Sequence, residues 1–225
     1  VVRIRDLRYR WPRAAHDTLA IAEMDIAAGE AVFVHGPSGC GKSTLLALLA
    51  GVLVAGAGSV QVLGRDWARQ APARRDALRA DRIGYVFQQF NLLPYLSVLD
   101  NVLLPCRFSA PRAARALPSP AAAARALLDR VALPAALAAR PAAELSVGQQ
   151  QRVAAARALI GAPELLICDE PTSALDADLR DGFMDLLLGA CRDSGATLVF
   201  VSHDERLAAR FGRRLDLPSL NTAGR

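Results

Sequence analysis

Apolar and polar residues alternate roughly over positions 2–9 (VRIRDLRY), the period of a half-buried strand. A second strand is expected over 19–26. The apolar run 31–35 (AVFVH) reads as a third and ends in a glycine-rich turn. From Lys42 to Ala50 the pattern is helical, and Gly51 stops it. Further strands are predicted at 59–63 and 83–87. Between about 90 and 162 the chain is rich in Ala, Leu and Arg. Prolines at 94, 105, 111, 118, 120, 134 and 141 cut this stretch into short helices. Within it, 109–121 (SAPRAARALPSPA) reads as a mobile loop or a plain surface turn. Strand pattern returns at 165–169 (LLICD), followed by a helix near 177–193 and a strand at 196–201. A short helix near 204–211 and a strand near 213–217 follow. Strands alternating with helices predict an α/β chain with a mainly parallel sheet. The expected organisation is one domain over 1–225, with an α/β core at 1–89 and 163–225 and a helical subdomain inserted at 90–162. No internal repeat or coiled-coil heptad interrupts it.

Composition narrows the class. Hydrophobic residues make up 52% and charged residues 22%, enough apolar content for a sizeable core and against disorder. The net charge of +5 comes from scattered arginines, with no basic run interleaved with aromatics. It therefore reads as a solvated basic surface, and no nucleic-acid partner is expected. Of 27 basic residues, Lys42 alone is a lysine. A compact ammonium kept against an arginine bias suits a phosphate clamp. Cys40, Cys106, Cys168 and Cys191 have no metal-ligand spacing, and no secretory signal is expected, which points to a reduced compartment. Residues 43–64 carry no charge, but Gly51, Gly56, Gly58 and Gly64 divide them. They read as buried helix, turn and strand rather than a membrane span.

Three motifs carry the chemistry. Gly36-Pro37-Ser38-Gly39-Cys40-Gly41-Lys42-Ser43-Thr44 fits G-x-x-x-x-G-K-[ST], a phosphate-binding loop. Its glycines let backbone N–H groups point at phosphate oxygens, and the following helix N-terminus adds partial positive charge. Lys42 would reach the β- and γ-phosphates and Ser43 would ligate Mg2+. The apolar strand Leu165-Leu166-Ile167-Cys168 ends in Asp169 and Glu170. Asp169 could hold Mg2+ through water and Glu170 could polarise an attacking water as general base, although two acids after a strand also serve as helix caps. Leu145-Ser146-Val147-Gly148-Gln149-Gln150-Gln151-Arg152, read alone, is a helix start capped by Ser146.

In this order, phosphate loop, Leu-Ser-x-Gly-Gln and strand-Asp-Glu together resemble the ATP-binding subunits of ABC transporters, over essentially the whole chain. The resemblance implies a P-loop NTPase core with an antiparallel N-terminal β subdomain and an inserted helical subdomain. It implies an ATPase using ATP and Mg2+. Trp11 lies where the family places an aromatic that stacks on adenine, with Tyr9 the alternative. Gln88 corresponds to the glutamine that contacts Mg2+ and the attacking water, and His203 to the histidine on the γ-phosphate. Ser173-Ala174-Leu175-Asp176 corresponds to the loop that crosses to the partner's site. The nucleotide would contact Gly36, Ser38, Gly39, Cys40, Gly41, Lys42, Ser43 and Thr44 of one copy and Ser146, Gly148 and Gln149 of a second. ATP would thus favour closure of a homodimer and hydrolysis release it.

The implied partner is an integral membrane permease, with this subunit peripheral on the cytoplasmic face of the bacterial inner membrane. Phe87-Gln88-Gln89-Phe90-Asn91-Leu92-Leu93-Pro94 and Asp100-Asn101-Val102 look most like the lipoprotein-release and macrolide-export branch. The expected role is powering export or extraction; the alternative is a regulatory ABC ATPase that signals through a membrane partner. Two departures stand out. Val147 replaces the commonest glycine, so its backbone must be in an ordinary region. Cys168 replaces a small residue and is expected to be buried and inert.

Overall fold

The computed structural model describes residues 1–173 and 177–223. Its contacts group residues 1–79 with 197–225 as a first unit and 80–196 as a second. The first unit begins with β1 (Val2–Tyr9), β2 (Leu19–Ile26), β3 (Ala31–His35), α1 (Lys42–Leu49), β4 (Ala57–Val62), β5 (Arg65–Asp66) and most of α2 (Pro72–Arg82). β1 pairs antiparallel with β2 (Val2↔Ile26) and with β4 (Val2↔Val62), and β5 pairs antiparallel with β4 (Val62↔Arg65). β1 buries Val2, Ile4, Leu7 and Tyr9. Its alternation slips between Ile4 and Leu7 because the pairing with β4 shifts register between Arg5 and Arg8. Asp6 there adopts φ 49, and a Cβ on Gly58 would stand 2.2 Å from the Asp6 carbonyl oxygen. The bulge explains why the sequence alternates only roughly.

The uncharged stretch 43–64 becomes α1, a turn at Gly51 and β4. Trp67 closes this turn, its indole N–H donating to the Leu49 carbonyl at 3.2 Å. Among the described residues no helix is long and apolar enough to cross a membrane. α2 falls in a segment, 65–82, for which the sequence pattern suggested no element.

The second unit holds β6 (Ile83–Val86), α3 (Val98–Phe108), α4 (Ala110–Arg115), α5 (Pro120–Arg130), α6 (Val147–Leu159), β7 (Leu165–Asp169) and α7 (Ala177–Ser194). β6 and β7 are parallel, from Ile83↔Leu165 to Val86↔Cys168. Four of these helices start at a serine. Ser97, Ser109, Ser119 and Ser146 each accept a hydrogen bond from a backbone N–H three residues on. Val98, Val102, Ala124, Leu128, Val153, Ala156 and Ile160 form their shared core. The reading of 109–121 as a loop is corrected: Ser109 caps α4, Pro111 sits in its first turn where no N–H is needed, and Arg112 is buried. Pro105 also lies inside α3 rather than ending it.

The chain then re-enters the first unit through β8 (Thr197–Val201), a 3-10 turn (Glu205–Arg210), β9 (Arg213–Asp216) and the short α8 (Leu217–Leu220). β3 lies between β8 and β9, parallel to both. Val32, Phe33 and Val34 are buried, as expected of a parallel strand covered on both faces.

Candidate functional site

In the first unit β3 delivers the chain into the phosphate loop. Gly39 (φ 79) and Gly41 (φ 102) occupy backbone regions that favour glycine. A Cβ at Gly41 would lie 2.7 Å from Leu19 Cδ2, so a side chain there would also have to displace the buried Leu19. Pro37, Ser38 and Gly39 are exposed at the tip, and Ser43 is exposed on the first turn of α1. Lys42 is 8% exposed. Its ammonium donates to the carbonyls of Gly36 at 2.8 Å and Pro37 at 2.9 Å. These bonds hold the charge inside the loop, where phosphate oxygens can replace the carbonyls as acceptors. Cys40 Sγ would stand 2.7 Å from a Cβ on Gly36, so the sulfur lies against the loop and is only partly exposed.

The end of the chain supports this loop, which no sequence signal announced. Asn221 Nδ2 donates to Thr18 O at 3.0 Å and Cys40 O at 3.4 Å, while its Oδ1 accepts from Ala20 N at 2.8 Å. His203 and Gly36 each lie two residues beyond a register pair of parallel strands, Val34↔Val201. The same strand ends therefore present the loop and the histidine. Trp11 is 45% exposed and meets the buried Tyr9 edge-on, ring centroids 5.4 Å apart. Of the two aromatic candidates, Trp11 is the one with a face open to a ligand.

The second unit repeats this arrangement. Gln88 and Glu170 each lie two residues beyond the register pair Val86↔Cys168, at the same ends of β6 and β7. Gln88 and Gln89 occupy the centre of a turn closed by Phe90 N donating to Phe87 O at 3.0 Å. Phe90 (φ 58), Asn91 (φ 48) and Glu170 (φ 45) are all left-handed. Such backbone costs about 1–3 kcal/mol per residue and persists where surroundings enforce it. Cys168 is fully buried, and burial pushes its thiol well above the usual range, so it acts as a small apolar residue.

Ser146 caps α6 in a reciprocal box: its Oγ accepts from Gln149 N at 3.3 Å, and Gln149 Oε1 accepts from Ser146 N at 2.9 Å. Gln149 is therefore already engaged in holding the helix start. Val147, 48% exposed, is the first residue of the helix and needs no glycine. Asp176 lies outside the described residues.

The residues fit a nucleotide with its metal. The glycine loop and buried ammonium suit a polyphosphate. Among the described residues no cluster of three or more His, Cys, Asp or Glu could hold a metal ion. The exposed hydroxyl of Ser43 and the carboxylate of Asp169 are hard oxygen donors suited to Mg2+, an ion that takes its remaining ligands from phosphate and water.

A glycine-rich loop between a parallel strand and a helix, and an acidic pair at the tip of another parallel strand, define a P-loop nucleotide hydrolase. The family described as ABC transporter matches residues 19–173. The chain is 45% identical over 204 residues to the sulfate/thiosulfate import ATP-binding protein CysA 2 of Chromobacterium violaceum, covering 89% of this chain and 52% of that protein. It thus spans about half the length of that relative. It is 40% identical over 219 residues to the ABC transporter ATP-binding protein YbbA of Escherichia coli K12, covering 96% and 94% of the two chains. It is 40% identical over 195 residues to the lipoprotein-releasing system ATP-binding protein LolD 1 of Caulobacter vibrioides, covering 87% and 82%. In three dimensions it matches the dimeric, post-hydrolysis ATP-binding cassette MJ0796 bound to ADP and Pi, with a TM-score of 0.85, 32% identity, and 96% and 95% coverage. The chain belongs to the ABC transporter family and is one of its ATPase domains.

Proposed function

We propose that this chain is the ATP-hydrolysing subunit of a transporter, that it works as a homodimer, and that it drives a membrane permease in export or extraction of a substrate. The observation that carries the reading is the placement of the reactive side chains at matching ends of paired parallel strands, loop and His203 in one unit, Gln88 and Glu170 in the other. Trp11 stacks on the adenine. Lys42 exchanges its carbonyl acceptors for the β- and γ-phosphates, which the loop N–H groups hold. Ser43, Gln88 and Asp169 would hold Mg2+, and the ion would offset the charge of the phosphates. Glu170 orients and polarises the attacking water, and His203 donates to the γ-phosphate. Ser146, Gly148 and the α6 N-terminus face the nucleotide of the second copy, adding donors and partial positive charge. Gln149 supports that helix start, and Asp176 belongs to the crossing loop. The subunit sits peripherally on the cytoplasmic face of the inner membrane, with residues 90–162 as its helical subdomain.

Export is favoured by the segment Phe87–Pro94 and by relatives of the lipoprotein-releasing type. Import has its own support in the sulfate/thiosulfate and methionine relatives, at 45% and 39% identity. The test uses Glu170→Gln, which should retain ATP binding and lose hydrolysis about 100-fold or more. Purified with ATP from gently solubilised native membranes, it should bring down an integral membrane protein with a large extracytoplasmic domain. A permease accompanied by a soluble binding protein would reverse the direction to import. A soluble ribosomal or DNA-associated partner, with no membrane protein, would overturn the transporter role.

A further inference from the structure

A single helix of the second unit reaches the backbone beside both Glu170 and Gln88. Five residues after the Ser146 cap, Gln151 is 1% exposed, and its Nε2 donates to the Pro171 carbonyl at 2.7 Å. Pro171 is the residue after Glu170. Six residues further, the guanidinium of Arg157 donates through NH1 to Asn91 O at 2.7 Å and through NH2 to Phe90 O at 2.5 Å. Those two residues end the turn that carries Gln88. Six positions are about 9 Å along an α-helix and most of two turns around it, so the side chains leave α6 on different sides.

Neither residue is there for packing. α6 between them is alanine-rich and buried, Val153 to Ala156 being fully covered. A buried amide or guanidinium costs free energy unless its donors are paired, and an apolar residue would serve packing alone. Burial alone lowers the Arg157 guanidinium to about 10, so it remains charged at neutral pH and its bonds to the carbonyls are charge-assisted. The carbonyls it grips belong to the left-handed pair Phe90 and Asn91, and Gln151 grips the carbonyl that follows left-handed Glu170. The bonds fall where the backbone needs an external constraint.

We infer that Gln151 and Arg157 are positioning residues for ATP hydrolysis: through them α6 fixes Glu170 from Pro171 and Gln88 from Phe90 and Asn91, so a displacement of its Ser146 end is delivered to both. The inference rests on the dimeric reading above, in which the Ser146 end meets nucleotide held by the second copy. Occupancy of one site then sets the placement of the water-activating groups that serve the other, a coupling between two sites through a rigid element.

The test measures steady-state ATPase rate against ATP concentration for the full chain, with nucleotide affinity from a fluorescent ATP analogue and folded fraction from circular dichroism. Gln151→Met keeps the side-chain length, Arg157→Met keeps much of the aliphatic stem, and both remove the donors. Each should lower kcat about 10- to 100-fold, the loss typical of a misplaced reacting group, and shift nucleotide affinity less than about twofold on the same argument. The Hill coefficient should fall from above 1 towards 1. Arg157→Lys keeps a donor and the charge, so it should recover most of the lost kcat, and it carries the test if Arg157→Met does not fold. Variants that melt earlier yet keep wild-type kcat and Hill coefficient per folded molecule would reduce both residues to scaffold and overturn the inference. A wild-type Hill coefficient of 1 would overturn the coupling. A wild-type chain that bound no ATP would instead defeat the functional reading, and the positioning roles with it.

Discussion

Replacing Arg112 by Met removes a buried cation from the far end of α6. Arg112 is 2% exposed. Its Nε donates to Ile160 O at 2.7 Å, NH1 to Ile83 O at 2.9 Å and NH2 to Ala158 O. The Ala158 and Ile160 carbonyls lie where α6 ends and lacks its own donors, and a cation there also complements the negative end of the helix dipole. Methionine fills much of the stem volume, so the loss is mainly of hydrogen bonds. The loss should be about 3–5 kcal/mol, the lower part of the about 3–9 kcal/mol that three buried carbonyls left without a donor would cost at about 1–3 kcal/mol each, because the variant no longer buries a charge. Domains of this kind are stable by only about 5–15 kcal/mol. Urea unfolding followed by far-ultraviolet circular dichroism, with an unchanged slope, would read it as a lower midpoint. Burial is the main cause that lowers Arg112 to about 10, with nearby Arg115 adding to the shift and Cys106 and Asp81 opposing it. A cation whose folded value is depressed gains stability only as pH rises through that value towards the unfolded one. The difference between wild type and Arg112→Met should therefore be flat from about pH 6 to 9. A loss below about 1 kcal/mol would refute the assignment of Arg112 as a structural cap.

Four further outcomes are expected. A bulky thiol reagent should block nucleotide binding by reacting at Cys40, whose sulfur lies against the phosphate loop, and Cys40→Ser should abolish the block; persistent inhibition in that variant would place the effect at another cysteine. Cys168 and Cys191 should stay unmodified in the folded chain, since burial pushes both thiols up, Cys191 to about 12. Val147→Gly should change ATP turnover less than tenfold, because an exposed first helical residue contributes only about a few tenths of a kcal/mol; a tenfold rise would show that valine restrains the motif. Trp11→Ala should weaken nucleotide binding about 5- to 100-fold, the worth of one ring stacked on a base, and Tyr9→Leu, which removes the ring and keeps an apolar side chain, should leave it unchanged in the folded chain; the reverse result would assign the stacking ring to Tyr9.

How far the sequence could be read depended on where each residue's partners lie. β1, β2, β3 and β7 were legible because their periodicity is local, and the phosphate loop because its glycines, lysine and hydroxyl occupy fixed offsets within nine residues. Val147 was legible in the same way: a β-branched residue demanded ordinary backbone, and it opens a helix. Segment 109–121 misled because proline and serine mark both loops and helix starts. What separates the two is Arg112, whose partners are backbone carbonyls up to 48 positions away. Gln151, Arg157 and Asn221 went unassigned for the same reason. Each bonds to main-chain carbonyls, and a carbonyl is identical at every position of the chain. Such a partner leaves no complementary residue in the sequence, as a carboxylate would for an arginine. The supports of this site are therefore invisible to motif reading in principle, whereas the groups that touch nucleotide are not. A substitution at Gln151 or Arg157 would look harmless beside the intact motifs and still displace the backbone on which Glu170 and Gln88 depend.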